Sequence, residues 1–250
     1  MKKIPFINSR DHKLVKEVVG LHKPHHRQEM KQFIAEGWRI CTTLIENGLK
    51  PDMVFITDEA LTQLTDLFVP FDIYLVADLV MDKMTCATTP SGVLAVFPML
   101  GTDADERITR GIVLSEIADP GNMGTLIRTA AAMNIKDVVI VDGCDPYNPK
   151  VVQATAGTLA QVRITQTTVK DIKNRIATDS SLCALVVHDG KKPSEINFEK
   201  TLIIIGNEAH GISPELLALC DQKLTLPMPG NTESLNAAVA GSIAMYLMAQ

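Results

Sequence analysis

Three segments of this 250-residue chain set glycine and small polar residues directly behind apolar runs. Two lie near the end: residues 202–211, L-I-I-I-G-N-E-A-H-G, and residues 226–236, L-P-M-P-G-N-T-E-S-L-N. A parallel sheet presents its strand carboxyl ends to ligands in this way, so together they predict a ligand site. Gly206 lets a ligand approach the backbone closely. Glu208 is placed as a polar anchor, either for the ligand or for a nearby arginine. Pro227 and Pro229 forbid helix and leave the backbone groups of Leu226 and Met228 to read the edge of a base such as adenine in an apolar slot. Ser234 and Asn236 flank Leu235 at the start of the final helix, where Ser234 is the expected N-cap. The third segment, residues 115–130, leaves a strand, turns at Asp119-Pro120-Gly121 and enters an Ala-rich helix. Asn122 is placed to cap that helix, and Arg128 follows six residues on, projecting from roughly the same end. A surface arginine beside a helix cap, and a tight strand-to-helix turn at Gly206, are the plain structural alternatives. The dinucleotide fingerprint is absent, because no third glycine follows Gly121 and Gly124, and no P-loop is present.

The elements that must position these residues form two α/β series. Apolar spacing predicts helices over residues 10–20 and 27–49, the second ended by Gly48 and Pro51. Strands follow at 53–56, 73–76 and 93–97, alternating with helices at 58–67 and 78–84. Residues 98–110 are turn-rich and charged and read as a linker. Beyond them, strands are predicted at 112–114, 137–141, 162–164, 182–187, 202–205 and 223–226. Helices are predicted at 123–133, 151–160, 169–177, 214–219 and 234–248, with Ser213 or a neighbour capping the one that starts at Pro214.

With only three Tyr, one Trp and seven Phe, the core must be aliphatic, which favours α/β layering. Cys41, Cys86, Cys144, Cys183 and Cys220 are scattered without a C-x-x-C pair or Cys/His cluster, so no metal or dithiol chemistry is expected. Met1-Lys2-Lys3 begins like a signal sequence, but no apolar stretch follows it, and the longest apolar run, residues 237–249, is shorter than a membrane span. A soluble cytoplasmic protein with no membrane partner is expected. Net charge is −5, yet residues 1–50 hold ten Lys/Arg against five Asp/Glu and four of the six histidines, which leaves fourteen against twenty-four for the remainder. A positive lobe on an acidic body can bind a polyanion, although a solvated basic surface explains the same counts.

The segments D-P-G-N-M-G-T-L-I-R-T-A, I-I-I-G-N-E-A-H-G-I-S and L-P-M-P-G-N-T-E-S-L-N-A-A-V-A-G-S-I-A resemble, in order and spacing, the three motifs of the SpoU (TrmH) family of S-adenosylmethionine-dependent RNA ribose 2′-O-methyltransferases. In the front half, F-I-A-E-G at 33–37 and T-P-S-G-V-L-A at 89–95 resemble the L30e-like substrate-binding domain found in many members. The resemblance implies an L30e-like RNA-binding domain over residues 1–97, a linker over 98–110 and a SPOUT-type α/β domain over 111–250. That domain would carry a parallel sheet and a deep trefoil knot, an exception to the rule that chains avoid knots. It implies that Gly206, Leu226 and Leu235 hold the methyl donor, with Met228, Ser234 and Asn236 beside it. Asn122, Arg128, Glu208, Ser234 and Asn236 fall on the polar active-site positions. Homodimerisation through the knotted domain is implied as well. His210 and the stretch 229–233 depart from common family residues, which bears on substrate choice rather than on the donor site.

Two roles stay open for Arg128. In the family it is often considered the base, but a guanidinium holds its proton too tightly for that role. Pairing with an RNA phosphate and stabilising charge on the 2′-oxygen fits its chemistry better, with Glu208 fixing it and Asn122 and Asn236 orienting ribose. Lys13, Lys16, Lys23, Arg27, Lys31 and Arg39 are the candidate phosphate contacts of the basic front domain. Ribosomal RNA is the expected acceptor, with transfer RNA the alternative. A non-catalytic RNA-binding protein on the same fold, a nucleotide-binding Rossmann enzyme and a knotted base-nitrogen methyltransferase are the competing functions.

Overall fold

The computed structural model describes residues 4–101, 107–230 and 232–250. The Met1-Lys2-Lys3 start, residues 102–106 of the expected linker and Asn231 of the third motif lie outside the described residues. The first part of the chain runs β1 (Phe6–Ile7), α1 (Lys13–Gly20), α2 (Pro24–Met30), β2 (Gln32–Glu36), α3 (Trp38–Glu46), β3 (Met53–Thr57), β4 (Ile73–Val76), α4 (Asp78–Met84) and β5 (Val93–Pro98). The remainder runs β6 (Gly111–Ser115), α5 (Pro120–Ala132), β7 (Asp137–Val141), α6 (Pro149–Thr155), β8 (Arg163–Thr167), α7 (Ile172–Arg175), β9 (Ser181–Leu185), β10 (Thr201–Ile205), α8 (Pro214–Leu217), β11 (Gln222–Leu224) and α9 (Ala237–Met248).

Two compact units result: Met1–Leu100 with Asp145–Ala160, and Gly101–Cys144 with Gln161–Gln250. The segment 145–160, which sequence placed in the second domain, therefore clusters with the first. Its Tyr147 ring packs 5.2 Å from that of Phe33. The first unit's mixed sheet has the order β1-β4-β3-β5-β2, with β2 and β3 antiparallel to β5 and the other pairs parallel.

The second unit's sheet, β11-β9-β10-β6-β7-β8, is parallel throughout. Every residue of β6, β7 and β10 is buried, so the Val/Ile-rich runs show no polar alternation, as a sheet covered on both faces requires. From β6 the chain builds outward through β7 and β8, then returns to the other side of β6 for β9 and β10. The loops leaving β6 and β10 thus diverge at one point, where open parallel sheets bind ligands. On one face α5 and α9 pack together, and Gly241 sets their separation from the sheet. A Cβ there would lie 2.5 Å from Leu126 Cδ2 and 2.7 Å from Ile205 Cδ1.

The predicted helix over 27–49 does not form as one element. Lys31 ends α2 in the left-handed region (φ 53°), and residues 32–36 pair with β5 as a strand. Phe33, Ile34 and Ala35 form a short apolar run that fits either period, and burial against β5 decides it. Other helices are also shorter than the sequence pattern suggests, three of them markedly. Residues 58–67 hold only a 3-10 turn at Glu59–Gln63, α6 ends where Ala156 turns left-handed (φ 52°), and α7 is a single turn.

Candidate active site

The turn entering α5 is organised by Asp119, not by Asn122. The Asp119 side chain accepts from the Asn122 backbone N–H at 2.8 Å, and Pro120 supplies the preset φ of the first helical position. Released from capping, the Asn122 side chain reaches across to the other two motifs. Its Nδ2 donates to Glu208 Oε1 at 2.7 Å, and its Oδ1 accepts from Asn236 Nδ2 at 3.2 Å. Asn236, rather than Ser234, caps α9, its Oδ1 accepting from Ala238 N at 2.9 Å and Val239 N at 3.2 Å. The proton arrangement follows from the inventory of donors. A capping Oδ1 leaves Asn236 only Nδ2 to offer, so Asn122 must turn its oxygen to Asn236 and its amide protons to the Glu208 carboxylate. One hydrogen-bonded chain therefore ties the three motifs together. Glu208 pairs with Asn122, which corrects the expectation that it fixes Arg128.

Below this chain is a cavity of about 620 Å³, within the range of small-ligand sites. All six residues expected to hold a cofactor, Gly206, Leu226, Met228, Ser234, Leu235 and Asn236, line it, as does Glu208. Its floor is the carboxyl end of the sheet. Gly206 is obligatory there for a local reason: a Cβ would sit 2.4 Å from the Gly211 carbonyl carbon. That close approach comes from a small closed loop in which Asn207 N donates to Gly211 O (2.9 Å) and Gly211 N to Asn207 O (3.0 Å), with Gly211 at φ 70°.

Asn207 was not singled out from sequence, yet it holds the site's shape. Its Oδ1 accepts from Ala209 N at 2.8 Å and His210 N at 3.1 Å, and its Nδ2 donates to Glu116 O at 2.8 Å, fixing a residue held at φ 55°. The readable signal was the Asn four residues before Gly211, an Asx-turn pattern. Leu185, Val186 and Val187, at the carboxyl end of β9, form a further wall that sequence reasoning missed. The apolar run ending at His188-Asp189-Gly190 carries the same strand-end signature as the other motifs.

Arg128 is not brought to this cavity. Six residues at about 100° each put it roughly 120° round α5 from Asn122. It is exposed, and among the described residues it makes no hydrogen bond or ion pair.

In the first unit, Lys13, Lys16, Lys23, Lys31 and Arg39 are exposed. Lys13 lies 3.7 Å from Glu17 and Lys16 3.4 Å from Asp11, while Lys31 Nζ is 3.4 Å from Gln28 Oε1. Arg27 is the exception and a correction. Its side chain is fully buried, with Nη2 2.6 Å from Asp145 Oδ2 and Nη1 donating to Leu21 O (2.7 Å) and His22 O (2.9 Å). A guanidinium buried against Asp145 and two backbone carbonyls cannot contact a phosphate. No cluster of metal-ligating side chains is present among the described residues.

The three motif segments that this hydrogen-bonded chain joins fall inside one family match: the SpoU rRNA Methylase family, over residues 110–246. This chain belongs to the SpoU rRNA methylase family. An MRM3-like substrate binding domain matches residues 12–95. An uncharacterised tRNA/rRNA methyltransferase of Synechocystis is 29% identical, covering 97% of this chain and 93% of that protein. The 23S rRNA (guanosine(2553)-2′-O)-methyltransferase RlmP of Bacillus subtilis is 28% identical over 96% of this chain and 97% of its own length. An AdoMet-bound rRNA methyltransferase from Sinorhizobium meliloti superposes with a TM-score of 0.85, covering 98% of this chain and 97% of that one. At 24% identity that likeness speaks for the α/β fold with its parallel sheet.

Proposed function

We propose that this SpoU-family enzyme transfers the methyl group of S-adenosylmethionine to a ribose 2′-hydroxyl of ribosomal RNA, acting as a homodimer. The observation that carries the reading is the convergence of Asn122, Glu208 and Asn236, one from each motif, in a hydrogen-bonded chain at the rim of the 620 Å³ cavity. The cavity suits the donor. Leu226, Met228 and Leu235 offer an apolar slot, and the loop backbones at 206–211 and 226–228 offer the polar groups that read an adenine edge. The donor, when bound, supplies an already activated sulfonium methyl group.

The protein's own task is orientation, together with easing loss of the hydroxyl proton. Asn122 and Asn236 hold fixed amide orientations and position the ribose, while the Glu208 carboxylate anchors Asn122. Arg128 pairs with the adjacent RNA phosphate and stabilises negative charge developing on the 2′-oxygen. Its position, exposed and away from its own cavity, fits delivery to the site of a second copy. Leu235, Val239, Ile243 and Tyr246 form an exposed ridge at helical spacing on and just before α9, 36%, 48%, 40% and 55% exposed, and this ridge suits the partner's matching surface.

The fold reading includes the trefoil knot, supported by the family and by the return of the chain to insert β10 beside β6. Residues 4–97 form the RNA-binding domain, where Lys13, Lys16, Lys23, Lys31 and Arg39 meet phosphates and RNA shape gives specificity. The name of the Bacillus relative favours ribosomal over transfer RNA, and a cytoplasmic setting follows from such an acceptor.

Mapping ribose methylation across total RNA with and without this protein tests the reading. One 2′-O-methyl mark should vanish from ribosomal RNA. A lost base methylation, or no lost mark, overturns the chemistry, and a lost transfer-RNA mark overturns the acceptor. Arg128→Lys should lower turnover at saturating RNA; near-normal turnover would sink the claim that bidentate geometry matters. Mixing Arg128→Ala with Gly206→Ala subunits should restore activity if Arg128 serves the partner's site.

A further inference from the structure

The first unit holds a second, smaller cavity of about 250 Å³, lined by Ile34 and Glu36 of β2, by Cys86, and by Lys150, Gln153 and Ala154 of α6. Resting on the RNA substrate argued above, we propose that this cavity binds the Watson–Crick edge of one unpaired guanine of that RNA. It is separate from the methyl-transfer cavity and shares no residue with it.

Glu36 carries the inference. It is only 9% exposed, and both of its oxygens are held by internal donors: Oε2 accepts from Thr85 Oγ1 at 2.5 Å and Oε1 from Cys86 N at 2.7 Å. Each oxygen keeps a lone pair after these bonds, so a rigid pair of acceptors stands in the cavity wall. Burying a carboxylate is costly unless its hydrogen bonds are made, and two internal donors leave it short of the number it can accept. Ile34 and Ala154 supply apolar surface for a flat ring, and the volume admits one heterocycle.

The donor pattern selects the base. Guanine alone sets two donors, N1–H and N2–H, side by side on its Watson–Crick edge, matching two fixed acceptors. Adenine and cytosine each place an acceptor nitrogen beside their amino group, and uracil flanks its N3–H with two carbonyls. Each of these would turn a lone pair toward the carboxylate. Guanine O6 lies next to N1 and can accept from Gln153 or from Lys150, both exposed on α6. Specific reading of unpaired bases by fixed polar groups and apolar faces is the usual mode of RNA recognition.

The test uses the full chain and fluorescently labelled pentaribonucleotides of uridine carrying G, inosine, A, C or U at the centre, read by anisotropy. The G-centred strand should bind roughly tenfold to a hundredfold tighter than those with A, C or U, as expected of a bidentate base contact. Inosine, which lacks the N2 amino group, should fall between. Glu36→Gln keeps an amide oxygen for Cys86 N but offers a donor where guanine needs an acceptor, and should erase the preference. Ala154→Leu fills the cavity without touching Glu36 and should do the same, which guards against misfolding of the first variant. Equal binding of all five strands, or a guanine preference that survives both substitutions, overturns the proposal. Methyl transfer to ribosomal RNA by a chain with no guanine preference would remove this site and leave the enzymatic reading standing. A guanine preference without methyl transfer would do the reverse.

Discussion

Replacing Arg27 by methionine separates a structural cation from an RNA-binding one. The Arg27 side chain is fully buried and that of Asp145 only 15% exposed, so the substitution leaves a carboxylate with no cation beside it and only the Tyr147 N–H, 2.9 Å from Oδ1, still bonded to it. It also strips donors from Leu21 O and His22 O, bonded at 2.7 and 2.9 Å. Breaking one side of such a pair costs about 3–5 kcal/mol. For a domain of this size that moves the melting midpoint on the order of 10 °C. The second partner gives the internal check. Adding Asp145→Asn removes the stranded charge, so the double variant should recover part of the loss, with a coupling of about 1–3 kcal/mol. Thermal and urea unfolding of the wild type, both single variants and the double variant measure this. RNA affinity against salt, taken below the melting range, should keep the wild-type slope. A melting shift under about 2 °C, together with a salt slope reduced by a full phosphate contact, would refute the burial argument and restore Arg27 to the RNA surface.

Gly206→Ala should weaken donor binding at least about tenfold in calorimetry, because its Cβ would sit 2.4 Å from the Gly211 carbonyl carbon and force open the loop that shapes the cavity. Ile243→Asp, on the exposed ridge of α9, should convert the proposed dimer to a monomer in light scattering; an unchanged mass counts against that face as the interface. Lys23→Ala should leave the melting temperature in place but flatten the salt dependence of RNA binding by about 0.7–0.9. Burial, with the Glu36 carboxylate nearby, pushes the Cys86 thiol from an ordinary value of 9.0 up to about 11. Its thiolate is therefore scarce below that pH, and because a more basic thiolate is also the stronger nucleophile, at pH 8 it should react with a disulfide reagent roughly tenfold more slowly than an unperturbed thiol, the rate climbing about tenfold per pH unit up to pH 10.

Much of the second unit was legible because its signals are local. Continuous Val/Ile runs bounded by turn residues marked β6, β7 and β10, and Ser213 before Pro214 marked a helix start that the structure keeps, with Ser213 Oγ accepting from Leu216 N. Legibility failed where two local readings were equally good. Phe33, Ile34 and Ala35 satisfy a helical or an extended period, and β5 chose between them. Asp119 and Asn122 are both competent caps three residues apart, as are Ser234 and Asn236, two apart. At α5 Asp119 caps while the Asn122 side chain reaches across the fold to Glu208 and Asn236, and at α9 Asn236 does both, capping through Oδ1 and reaching Asn122 through Nδ2.

The sequence alone determined the chemistry on offer: glycine where the backbone must approach itself closely, amides and a carboxylate at strand ends, and cations gathered in the first fifty residues. These are properties of residue type and near neighbours. Only the tertiary structure decided which of those groups are spent. It buried Arg27 against Asp145, joined Glu208 to Asn122 instead of to Arg128, and left Arg128 exposed. The physical reason is common to all three: a side chain's partner is set by contacts between residues far apart in sequence, as with the 86 positions separating Asn122 from Glu208, and no local pattern encodes such a pairing.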